Sequence, residues 1–147
     1  MKTKTIIEEI THEELVDLIS TATYGNQWCE IFRNKEVSGD VEPDDGDCRE
    51  DVWANVLLVG HSLYFADYNA SNENEFYGDL PHEWDEEGQC INYTFNLNDV
   101  KQGLSLAASS NHNYVRECFE NFRAENMDLN DAGILFQFII FGEHIYG

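Results

Sequence analysis

At 147 residues, with 42% hydrophobic and 13% aromatic side chains, the chain is long enough for one domain, 1–147, with a real core, and too apolar for wholesale disorder. Its 29 acidic residues against 8 basic give a formal net charge of -21, which repels nucleic-acid backbone and argues against direct DNA or RNA binding. No stretch is long enough to cross a membrane and MKTKTIIEEITHEE lacks a signal-peptide core, so the expectation is a cytoplasmic protein with free thiols at Cys29, Cys48, Cys90 and Cys118.

The first helix starts after Thr11. Thr11 and Glu14 form a capping box, Ile10 and Leu15 can staple it, and Leu15, Leu18, Ile19 and Ala22 give the apolar stripe. Tyr24-Gly25-Asn26 ends it. Trp28 to Phe32 reads as a short strand. Residues 33 to 51 lose hydrophobic content, and Gly39 to Asp47 is an acidic loop punctuated by Pro43 and Gly46. Val52, Trp53, Val56 and Leu57 mark a second helix closed by Gly60, and LYFADY, Leu63 to Tyr68, is a strand. Asn69 to Gly78 reads as a turn or hairpin arm, and Asp79 to Gly88 as a second acidic loop holding Trp84. Ile91, Tyr93 and Phe95 alternate with Asn92 and Thr94, the pattern of a strand with one apolar face.

Asn96 to Asp99 repeats the capping-box logic for a helix carrying Val100, Leu104 and Ala107. After a break at Ser109 to Asn113, Tyr114, Val115, Cys118, Phe119 and Phe122 outline a fourth helix. Asn126 to Gly147 is the most hydrophobic stretch. Asp128 caps a last helix with Asp131 in its first turn, and Gly142 stops it. Leu135, Phe136 and Ile139 should face the core, Ile145 extends that face, and Gln137 is the one clear polar interruption. A buried strand is the competing reading of this stretch. The order α-β-α-β-β-α-α-α predicts an α+β fold, a small antiparallel sheet packed against several helices with the C-terminal helix buried.

THEELVDLISTATYGNQW, EDVWANVLLVG followed by LYFADY, and ILFQFIIFGEHIYG together resemble small acidic proteins of bacterial conjugative and other mobile elements. The resemblance covers both ends and the middle of the chain, not the acidic loops. It implies a genomic setting and no functional residue. That setting favours a protein that interferes with, or tunes, a DNA-handling machine. Anti-restriction proteins of such elements are often highly acidic, but none of their specific motifs stands in this chain.

No G-x-G-x-x-G, Walker A, H-E-x-x-H or G-x-S-x-G pattern occurs. Counted as a calcium loop from Asp40, the sixth position is Asp45 where glycine is needed, and the twelfth is Asp51 where glutamate is needed. A solvated acidic loop is the better reading, with weak calcium binding as the alternative. His12, His61, His82, His112 and His144 show no zinc spacing. His82-Glu83-Trp84 invites an acid–base reading, yet no nucleophile stands beside it. Trp28 and Trp53 read as core, and Trp84 as a possible interface anchor.

The sequence therefore assigns no catalytic, cofactor or metal residues. It points to a non-catalytic protein whose acidic surface meets a basic protein, such as a DNA-binding one, as a DNA mimic or anti-restriction-like modulator. The expected contact residues are Asp40, Glu42, Asp44, Asp45 and Asp47 in one loop and Asp79, Glu83, Trp84, Asp85, Glu86 and Glu87 in the other. A plain acidic domain whose charge serves solubility is the main alternative. An enzyme with an unfamiliar site is the third reading.

Overall fold

Three helix starts are fixed by side chains within a few residues of one another. Thr11 Oγ1 accepts from the Glu14 amide while the Glu14 carboxylate accepts from the Thr11 amide, and this opens α1 (His12–Gly25). The first strand, β1 (Cys29–Phe32), and helix α2 (Arg49–Leu58) follow. Gly60, at φ +97°, takes the left-handed conformation that closes α2, with the Gly60 and His61 amides returning to Leu57 and Val56 carbonyls. Strands β2 (Leu63–Asp67), β3 (His82–Trp84) and β4 (Ile91–Phe95) complete the sheet. Reciprocal Asn96–Asp99 and Asp128–Asp131 boxes open α3 (Leu97–Ala108) and α5 (Leu129–Phe141), on either side of α4 (Asn113–Arg123). The computed structural model describes residues 7–33, 49–70 and 77–146.

The sheet runs β1-β2-β4-β3, with every neighbouring pair antiparallel. Its period-two alternation sends Cys29, Ile31, Leu63, Phe65, Ile91, Tyr93 and Phe95 to one buried face. The opposite face carries the register row Glu30, Ala66, Asn92 and Glu83. This is the α+β architecture expected, an antiparallel four-stranded sheet packed against helices. The expected order lacked one strand. His82 to Trp84, read as loop, is an edge strand because it pairs with Tyr93, Asn92 and Ile91 of β4. The part of the expected 69–78 arm between 71 and 76 lies outside the described residues.

Helix α5 is the centre of the packing. It contacts α1, α3 and α4, and Phe136 stacks on Phe65 of the sheet, with centroids 5.6 Å apart and planes at 15°. Phe136 also meets Phe95 edge-on at 5.9 Å. Leu135, Phe136 and Ile139 are buried. Gly103 lets α3 approach so closely that an added Cβ would lie 2.3 Å from Ile139 Cα.

Two finer readings change. Ile145 does not extend the helical face, because Gly142 at φ +78° ends α5 and turns the chain back. Trp28 is half-buried, not enclosed. Trp53 is buried as expected.

Candidate functional site

The acidic stretch 79–87 is built around the β3–β4 turn. Trp84, opposite Ile91, turns toward the helices and packs against the core half-buried, which anchors the hairpin. Glu83 alternates to the other face and is exposed, as are Asp79, Glu86 and Glu87. Asp85 differs. Its Oδ1 accepts from the Gln89 amide at 2.5 Å and the Cys90 amide at 3.3 Å, while Gly88 at φ +68° completes the turn. One of the six expected contact residues in this loop therefore holds the turn with its carboxylate. Asp40, Glu42, Asp44, Asp45 and Asp47, the other expected contact set, lie outside the described residues.

The register places carboxylates at both edges of the outward sheet face. Glu30 on β1 and Glu83 on β3 end one cross-strand row, with Ala66 and Asn92 between them. Three inter-strand spacings separate them, roughly 14 Å. The Tyr68 hydroxyl donates to Glu30 at 3.0 Å. Burial, followed by that hydrogen bond, pushes the Tyr68 phenol up to about 12. A second acidic concavity of about 380 Å³ lies on the helical side, where Glu13, Glu14, Asp17 and Glu125 surround Phe122. Burial raises the Glu14 carboxyl, but the Thr11 amide and Arg123 outweigh it and hold it below its ordinary value. Arg123 reaches Glu14 Oε2 at 2.6 Å.

His82 and Glu83 do not cooperate as an acid–base pair. Adjacent strand residues point to opposite faces, and His82 Nδ1 lies 3.0 Å from the Leu80 carbonyl oxygen. His12 sits in the first turn of α1, 3.8 Å from an Asp51 carboxylate oxygen, and His144 Nδ1 is 2.8 Å from the Tyr114 hydroxyl. Among the described residues, no group of three or more His, Cys, Asp or Glu is placed to hold a metal ion. Cys29, Cys90 and Cys118 are buried free thiols. Burial pushes Cys29 up to about 12 with help from the Asp67 charge, so its thiolate nucleophile is suppressed.

Sequence reasoning missed the polar residues that fasten the C-terminal tail. Gln137, 3% exposed, accepts from the Ile145 and Tyr146 amides at 2.8 and 2.7 Å and donates to the Tyr146 carbonyl at 3.1 Å. Tyr146 in turn donates its hydroxyl to the buried Asp67 carboxylate at 2.7 Å, and the Asn69 amide donates to the other oxygen at 2.9 Å. Burial lifts Asp67 above the ordinary aspartate value, against the downward pull of Tyr146 and the Asn69 and Ala70 amides. Burial and Asp67 together raise the Tyr146 phenol. The sequence signal was present as polar residues inside apolar runs, Asp67 in LYFADY and Gln137 in ILFQFIIF.

Among the described residues, no helix is long and apolar enough to cross a membrane. Comparison with protein families, with characterised proteins and with solved structures finds no match to this chain.

Proposed function

We propose that this chain is a non-catalytic interaction protein whose acidic surface occupies a basic site on a partner, such as the DNA-binding surface of a restriction, defence or transfer protein. The observation that carries this reading is the exposed set Asp79, Glu83, Glu86 and Glu87 at one sheet edge, within a stretch from Glu50 to Val100 that contains no Lys or Arg. With Glu30 across the outward face, these groups make a negative field, with Glu30 and Glu83 on strands and Glu86 and Glu87 in the turn that follows β3. Such a field steers a basic partner and is screened by salt, with a Debye length of about 8 Å at physiological ionic strength. Duplex DNA would compete for the same basic site. The resemblance to acidic proteins of mobile elements agrees with such a target.

A second reading rests on the carboxylates around Phe122 on the helical side. Charge distributed over both sides fits a protein kept soluble and monomeric by self-repulsion. Immobilised protein exposed to host lysate separates the two. The interaction reading expects a basic protein retained at low salt and released by salt or by duplex DNA. Retention of nothing, or of a partner that DNA does not displace, goes against mimicry.

A further inference from the structure

Where the tail folds back over α5, it walls an open cleft of about 400 Å³, within the size range of small-molecule sites. One residue in five of this chain is acidic, yet among the described residues no lining side chain is a carboxylate, an ammonium or a guanidinium. The walls are amides and aromatic rings. Asn69 and Asn130 are exposed, and the side-chain amide of each carries both a donor and an acceptor at the cleft. Trp28 supplies a half-buried ring held edge-on against Phe65 at 5.5 Å and Tyr146 at 5.4 Å. The Tyr114–His144 pair closes the other side with polar atoms.

The cleft is preorganised. Three hydrogen bonds between Gln137 and the tail backbone, together with the Tyr146–Asp67 bond, fix its tail wall, which lowers the ordering cost of binding. An anionic ligand would meet the repulsive field of a chain carrying -21, and the described lining residues offer no counter-charge to offset it. A cation would find better partners among the carboxylates elsewhere on the surface. An uncharged ring with an apolar face and hydroxyl or amide groups on its rim matches both the aromatic wall and the exposed amides. We propose that this cleft is a binding site for such a neutral ring compound, a nucleoside or a saccharide.

The test is titration of the ¹⁵N-labelled full chain followed by NMR, with adenosine in one arm and maltotriose in the other, each taken to roughly 10 mM. The expected result is saturable shifts of the Trp28 indole N–H and the Asn69 and Asn130 side-chain amides in one of the arms, which also decides the source of the ring. Adenosine 5′-monophosphate should bind at least several-fold more weakly than adenosine if the nucleoside arm responds. The Asn69→Ala/Asn130→Ala double variant, altered only at exposed side chains, should weaken binding about tenfold or more with an otherwise unchanged spectrum. The proposal is overturned if neither arm gives saturable shifts at these groups, or if the double variant binds as well as the parent.

Discussion

Replacing Gly103 by alanine drives a methyl group into the backbone of α5. The new Cβ would sit 2.3 Å from Ile139 Cα and 2.6 Å from Ile139 N, whereas ordinary contact begins at 3.4 Å. Neither atom belongs to a side chain that can rotate away. The two helices would have to part by roughly 1 Å in an interior packed like a crystal. Alanine gains about 1 kcal/mol in helix propensity over glycine. Overpacking costs about 1–3 kcal/mol and more where backbone must move, so the high end applies here. The net expectation is a loss of about 2 kcal/mol, equivalent to a drop in melting temperature of about 4–8 °C for a chain of this size. Gly60→Ala is the comparison, because nothing lies within 4 Å of its added Cβ and only the left-handed backbone at φ +97° resists. Thermal melting of both variants by circular dichroism reads the difference. A Gly103→Ala protein that melts at or above the parent temperature would refute the close α3–α5 approach.

Phe136→Ala removes the ring stacked on Phe65 and edge-on to Phe95, and should cost about 3–5 kcal/mol in urea unfolding; a loss below about 1 kcal/mol would mean that α5 is not central. Asp67→Asn keeps an acceptor for the Asn69 amide but cannot ionise. Because the folded-state carboxyl of Asp67 is raised, its contribution to stability is complete below the unfolded value near 4 and is lost as pH rises through the folded value. The Asn variant should therefore gain on the parent as pH climbs from about 4 toward neutrality, read by melting at several pH values, and a difference that stays constant with pH would contradict the burial of that charge. Asp128→Ala should lose about 1 kcal/mol through the missing cap on α5, and amide exchange at Asp131 should quicken, since its N–H donates to Asp128 Oδ1 at 2.8 Å; unchanged exchange there would argue against the cap.

The elements written in local chemistry were legible. Thr11, Asn96 and Asp128 each cap through a residue three positions on, and such pairs stand side by side in the sequence. Strand β4 was equally plain, because its alternation records a sheet with one buried face. Strand β3 was hidden. Its three residues, His82, Glu83 and Trp84, sit among acids, and their extended form is held by β4 rather than by their own propensity. The tail was illegible for a related reason. Tyr146 and Asp67 are 79 residues apart, and nothing near either one announces the other. Gln137 looked like an interruption of an apolar helix, whereas its amide is what fastens the chain after Gly142. Composition alone likewise could not separate Asp85, committed to its turn, from the exposed Glu83, Glu86 and Glu87.

That separation defines the most direct test of the proposed interaction. Glu83, Glu86 and Glu87 are changed together to lysine, while Asp85 is left to hold the β3–β4 turn. All three are exposed, so the melting temperature should stay close to that of the parent. Affinity for the basic partner captured from lysate is then measured at low and physiological salt. The account predicts a loss of tenfold or more, largest at low salt where the field is least screened. A folded triple variant that binds the partner as tightly as the parent at both salt concentrations would contradict it.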